Sequence, residues 1–195
     1  SYVKIKGTHI LKKIIEKKKP VIFVSGHFAN FELMSMELTK NNINLATIYR
    51  PLNNFFINPF MEYVRRKYIC KNQIKKGIAG VKETINYIRN GFSIALMVDQ
   101  RVSEGKKLPF FEHLALTTTL PSQLALKFHL DIVPIYISRK KDDSFELEIY
   151  EPVKFSHKEN TETHKIDIAI KLNKTLEEMI SRDPGQWIWT HNRWK

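Results

Sequence analysis

Short β-branched runs alternate with stretches of helical periodicity along this chain, and that alternation restricts its fold more than any other feature. Val21-Ile22-Phe23-Val24, Leu45-Ala46-Thr47-Ile48-Tyr49, Ser93-Ile94-Ala95-Leu96-Met97-Val98 and the run 132–137 are almost wholly apolar. A strand written this way is covered on both faces, the situation of parallel strands lying between helices. Between the runs, Phe31, Leu33, Met34 and Leu38 recur at helical spacing behind Asn30, a natural N-cap, and Ile78, Val81, Ile85 and Ile88 recur before the stop at Asn90-Gly91. Further helices are expected over about 59–68, 119–128 and 165–181, and an alternating strand over 145–150. The prediction is an α/β fold: a single domain over 1–195, with a mainly parallel mixed sheet flanked by helices. At 195 residues, without repeat or linker, the chain gives no reason for division.

Sheets of this kind collect ligands at the carboxyl ends of their strands. His27, Arg50 and Asp99 each follow a predicted strand directly. His27 and Glu32, in Gly26-His27-Phe28-Ala29-Asn30-Phe31-Glu32, form the first candidate catalytic pair. Imidazole titrates near neutrality, and a carboxylate can fix its tautomer and stabilise the cation formed when it takes a proton. A five-residue offset does not put both side chains on one face of a helix, so the pairing needs His27 in the turn and Glu32 in the first helical turn. The alternative is a capping histidine and a glutamate that merely complements the helix dipole.

Arg50 and Arg66 are candidates for phosphate recognition, because guanidinium groups make bidentate, charge-assisted bonds to phosphate oxygens. Arg66 has a plainer reading as part of a solvated face in Arg65-Arg66-Lys67. Asp99 either organises an arginine or a sugar hydroxyl, or caps the end of its strand. Thr118, within Thr117-Thr118-Thr119, either meets polar substrate groups or opens the next helix. Trp187, Trp189 and Trp194 fit a lipid interface or the core.

Lys and Arg number 32 against 20 Asp and Glu, a formal charge of +12, which favours acidic partners such as anionic lipid, nucleic acid or an acidic carrier protein. No nucleic-acid motif accompanies that charge, which leaves a basic nucleic-acid-binding module as the reading from another class. The single cysteine, Cys70, has no ligand spacing around it, and no Gly-x-Ser-x-Gly elbow, His-Glu-x-x-His or phosphate-binding glycine loop is present. No metal site and no cofactor are therefore expected. No apolar run approaches the roughly 20 residues of a membrane span. The chain opens at Ser1 directly into Tyr-Val-Lys-Ile-Lys, so an upstream segment, and with it a membrane anchor, is expected.

Gly-His-Phe-Ala-Asn-Phe-Glu at 26–32 resembles the His-x4-Asp/Glu motif of the lysophospholipid acyltransferase superfamily in the form used by the lipid A biosynthesis lauroyl/myristoyl acyltransferases. Tyr49-Arg50-Pro51, Asp99-Gln100, Pro109-Phe110-Phe111, Val133-Pro134 and the closing Gln186-Trp187-Ile188-Trp189-Thr190-His191-Asn192-Arg193-Trp194 resemble further elements of that family, in the same order, with Asn192 standing where Arg is more usual. The resemblance implies a glycerolipid-acyltransferase-like fold and a His27–Glu32 dyad, with Arg50, Arg66, Asp99, Gln100 and Thr118 around the substrate. It also implies an acyl carrier protein thioester as donor, a phosphorylated glycolipid precursor of lipid A as acceptor, and a membrane surface at the cytoplasmic face of a bacterial inner membrane. A lysophosphatidate-type acyltransferase would share the chemistry and differ in acceptor.

Overall fold

The computed structural model describes residues 2–195, and among them the chain forms a seven-stranded sheet with helices on both faces. In chain order the elements are β1 (Val3–Lys6), α1 (Thr8–Lys17), β2 (Ile22–Ser25), α2 (Glu32–Lys40), β3 (Leu45–Tyr49), α3 (Ile57–Val64), β4 (Asn72–Lys75), α4 (Ile78–Arg89), β5 (Ser93–Met97), β6 (Lys106–Phe110), β7 (His113–Thr117), α5 (Leu120–Phe128), β8 (Ile132–Arg139), β9 (Phe145–Ile149) and α6 (Glu162–Arg182). A π-helical turn, Arg65–Ile69, continues α3. The sheet order is β1-β9-β8-β2-β5-β3-β4. The five strands from β8 to β4 run parallel, and β8 and β9 are antiparallel. The mixed, mainly parallel α/β fold expected from the sequence is the one observed.

The apolar runs are explained by what covers them. Along β2, Ile22 and Val24 join a core with Ile94, Leu96, Leu124, Leu172 and Met179 under α5 and α6, while Phe23 joins Ala95, Val133, Met34 and Leu38 under α2. Alternate side chains thus enter opposite cores, and both must be apolar. Phe23 and Ile22 are fully buried, each contributing roughly 1.5–3 kcal/mol of transfer free energy.

The edges depart from expectation. β1 and β4 are four-residue edge strands reading Val-Lys-Ile-Lys and Asn-Gln-Ile-Lys, too short and polar to stand out. The hairpin β6–β7 lies outside the main sheet and is held by α6, whose Asn173 Nδ2 donates to Pro109 O at 2.7 Å. Helix α2 starts at Glu32 with Phe31 in the cap position and no side-chain cap, so Asn30 is a turn residue and not the N-cap expected for it. The helix expected over 59–68 begins at Ile57 and widens into the π turn, which advances the phase of the residues beyond Val64.

Candidate active site

Strand register builds the centre of the site. Ser25 of β2 pairs with Met97 of β5, and two residues past each lie His27 and Asp99, side by side at the carboxyl edge of the sheet. The Asp99 carboxylate receives three donors. His27 Nδ1 lies 2.7 Å from Oδ1, and the His27 backbone N–H and the Trp187 indole N–H both donate to Oδ2 at 2.8 Å. Burial alone would raise the Asp99 carboxyl, which is only 2% exposed, but the bonds from His27 and Trp187 outweigh it and hold the group below the usual carboxylate range. An ionised Asp99 accepts from Nδ1, so the Nε2 lone pair of His27 is the free one.

The turn carrying His27 is tightly supported. Gly26 lets the Phe28 ring approach, since a Cβ there would lie 2.8 Å from Phe28 Cε2. Ala29 adopts a left-handed φ of 42°, and its N–H donates to Gln186 O at 2.8 Å, while Ile188 N–H donates to His27 O at 3.0 Å. The closing segment of the chain therefore locks the turn from behind, and Phe31 stands edge-on to the imidazole at 4.6 Å between ring centroids.

His27 opens onto a cavity of ≈ 650 Å³, whose wall includes Glu32, Arg50, Arg65, Lys76, Gln100, Arg101, Thr118 and His191. Glu32 does not serve as the carboxylate on His27 Nδ1, the role its motif led us to expect; Asp99 fills that position. Glu32 Oε1 instead accepts from Arg65, at 2.8 Å from Nε and 2.7 Å from the terminal nitrogen. The reason is local: α2 begins at Glu32 beside the π turn, where the Arg65 guanidinium, with only 11% of its side chain exposed, requires a counter-charge.

Arg50, Gln100 and Thr118 all line the cavity, and the Thr118 hydroxyl also accepts from Leu120 N–H at the start of α5. Asp99 lies behind His27 as its hydrogen-bond partner, so it is neither an arginine organiser nor a simple cap. Arg66 is exposed on the π turn, and Arg65 is the member of that basic run on the cavity wall.

Several residues in and behind the cavity wall had no role assigned from the sequence. His191 Nε2 accepts from Arg101 N–H at 3.2 Å, which leaves the ring proton on Nδ1. Burial pushes its pKa down, against the pull of Asp99 and aided by His27 and Arg50. Burial and the neighbouring Glu62 carboxylate push the Tyr49 phenol up to about 12. Arg193 is fully buried under the hairpin, donating to Leu116 O and Thr117 Oγ1 with its guanidinium 4.8 Å from the Phe110 ring centroid. Burial lowers it to about 10. Trp187 and Trp194 pack in the core, whereas Trp189 is 55% exposed.

The arrangement has the chemistry a general base needs: a histidine whose tautomer is set by a buried carboxylate, facing a roomy cavity with cations on its wall. A family model described as bacterial lipid A biosynthesis acyltransferase matches residues 1–195. A lipid A biosynthesis acyltransferase of Haemophilus influenzae is 25% identical over 200 residues, covering 98% of this chain and 60% of the relative. A lipid A biosynthesis palmitoleoyltransferase of Escherichia coli is 28% identical over 200 residues, covering 98% and 61%. The chain thus spans about three fifths of the length of these relatives. The crystal structure of a 1-acyl-sn-glycerophosphate acyltransferase from Thermotoga maritima superposes with a TM-score of 0.51 at 17% identity, over 95% of this chain and 73% of that one, a likeness of fold.

Proposed function

The chain belongs to the bacterial lipid A biosynthesis acyltransferase family, and on that premise we propose that it moves a fatty acyl group from an acyl carrier protein thioester to a hydroxyl of a lipid A precursor, with His27 as general base. The observation that carries the mechanism is the 2.7 Å contact between His27 Nδ1 and the buried Asp99. With Nδ1–H committed to Asp99, Nε2 takes the proton of the acceptor hydroxyl as its oxygen bonds to the thioester carbonyl carbon. The carbonyl oxygen becomes the oxyanion of a tetrahedral intermediate. Collapse reforms the carbonyl and breaks the carbon–sulfur bond. The imidazolium returns its proton to the departing thiolate, leaving an ester, a free thiol and neutral His27.

Asp99 acts through His27 as a positioning residue. Glu32 and Arg65 form a neutralised pair on the cavity wall, where they contact the acceptor. Arg50, Lys76 and Arg101 surround the same space with positive charge suited to the phosphates of a glycolipid. The reaction belongs at the cytoplasmic face of the inner membrane, where both substrates meet. Among the described residues no helix is long and apolar enough to cross a membrane.

The test is label transfer from acyl carrier protein thioesters to a tetra-acylated lipid A precursor by the wild type, His27→Ala, Asp99→Asn and Glu32→Gln. Wild-type transfer that collapses in His27→Ala is expected. Undiminished transfer by His27→Ala would overturn the mechanism, and transfer to lysophosphatidate alone would replace the acceptor.

A further inference from the structure

The face around α3 breaks the rule that keeps large apolar side chains inside. Helix α3 buries none of its residues, although it reads Ile-Asn-Pro-Phe-Met-Glu-Tyr-Val. Phe55 and Phe56, just ahead of it, are 85% and 90% exposed, and Leu52, Ile57, Phe60, Tyr63 and Tyr68 are exposed with them. Contiguous exposed apolar surface of this kind marks a place of contact.

The segment is also built to stay exposed. Asn54 Oδ1 accepts from the N–H groups of Phe56 and Ile57 at 3.0 and 3.1 Å, fixing the start of α3. Asn58 accepts from Leu52 N–H and donates to Glu62, both at 2.8 Å, which clamps the loop to the helix. The two phenylalanines are therefore held outward at a rigid tip.

Charge then selects the occupant. Apart from Arg65, which Glu32 neutralises, the chain between Arg50 and Lys76 carries Arg50, Arg66, Lys67, Lys71, Lys75 and Lys76 against the lone acid Glu62, and Glu62 is paired with Lys75 at 3.2 Å. Lys67 lies over the Tyr63 and Tyr68 rings at 5.3 and 5.1 Å. Aromatic side chains ringed by lysine and arginine match an anionic bilayer, whose interface accepts the rings and whose headgroups attract the cations. Pro51, Leu52 and Asn53 belong both to this face and to the cavity wall, so the patch runs to the mouth of the site.

We propose that residues 52–68 form a membrane-docking face, with Phe55, Phe56 and Phe60 entering the interface of an anionic phospholipid bilayer and Arg66 and Lys67 resting on its headgroups. Docked this way, the cavity mouth meets the bilayer where an amphiphilic acceptor resides. The docking goes beyond the acyl-transfer reading, and its test reads lipid binding without acyl transfer, so either can fail alone.

The 195-residue chain is sedimented with vesicles of phosphatidylglycerol and phosphatidylethanolamine in equal parts, and with phosphatidylcholine vesicles. Binding to the anionic vesicles is expected, weakened at least about tenfold by Phe55→Ser combined with Phe56→Ser, and several-fold by Arg66→Gln combined with Lys67→Gln or by high salt. Leu114→Ser, at an exposed apolar residue on the β6–β7 hairpin outside residues 52–68, leaves binding unchanged. Equal binding to both vesicle types, or anionic binding untouched by the double Phe substitution, overturns the proposal. A change in self-association with vesicle binding intact also overturns it, assigning the face to contact between copies.

Discussion

Substituting Asp99 by Asn separates the two carboxylates of the site. The side chain accepts three donors: the His27 ring and backbone N–H groups and the Trp187 indole N–H. An asparagine can keep only one oxygen there. Placed toward the backbone and the indole, that oxygen preserves two bonds, and the amide NH2 then faces His27 Nδ1, which must become the acceptor. The imidazole proton moves to Nε2, where it blocks base catalysis. The reverse orientation sets an NH2 against two N–H donors and loses two bonds, so the first is favoured. The same forced tautomer in serine proteases lowers kcat by about ten thousand-fold, which sets the expected scale here: a fall of three to four orders of magnitude, or about 4–5.5 kcal/mol in activation free energy. Substrate binding should be little altered, because Asp99 lies behind His27. Steady-state acyl transfer separates kcat from KM, with thermal unfolding as the control for folding. If Asp99→Asn keeps its kcat within tenfold of wild type while Glu32→Gln abolishes it, the carboxylate that serves His27 is Glu32 and the geometry argued above is not the working one.

Glu32→Gln should remove the counter-charge of the partly buried Arg65 guanidinium and destabilise the fold by about 1–3 kcal/mol, with KM for the acceptor rising more than kcat falls; chemical denaturation and kinetics check the two parts. Gly26→Ala drives a Cβ into the Phe28 ring and should cost about 1–3 kcal/mol as overpacking, read as a lower denaturation midpoint, whereas an unchanged midpoint would mean the turn relaxes freely. The pKa of Asp99 is lower in the fold than its ordinary 3.8, so the stability it contributes is complete above that value and is lost as pH falls through the folded one. Unfolding free energy measured downward from pH 6 should therefore fall more steeply in acid for wild type than for Asp99→Asn; parallel curves would contradict the assignment.

The central sheet was legible because parallel strands covered on both faces must be apolar throughout, and Ile22, Phe23, Ile94, Ala95, Ile132 and Val133 are all buried there. The elements that escaped lie where this pressure is absent. β1 and β4 have one free edge and need few apolar residues, α1 carries three lysines over its ten positions and a fourth directly after it, and the β6–β7 hairpin packs on α6 instead of extending the sheet. Periodicity also cannot announce a π turn. Chemistry pointed to Arg66 as readily as to Arg65, and only the packing of α3 against Glu32 tells which of the two faces the cavity.

The site shows a different limit. His27, Arg50 and Asp99 stood out singly because each follows a strand, but which of them would meet depends on sheet order and register. The order β2-β5-β3 makes the strand before His27 and the strand before Asp99 neighbours, and the Ser25–Met97 pairing sets both residues two steps past one rung. Sixty-seven residues, with three helices and two strands of the same sheet, separate Ser25 from Ser93 where that neighbour begins, and nothing local to either segment encodes the rung. A motif six residues long offered a nearer carboxylate, Glu32, and local spacing argued for it. The long-range pairing brought a different one, buried and held by three donors, while Glu32 went to a guanidinium that would otherwise have been partly buried without a counter-charge. In a parallel α/β fold the functional partners of a strand-end residue are set by which strands lie beside it, so a substitution that shifts the β2–β5 register by one residue should silence His27 without touching any side chain of the site.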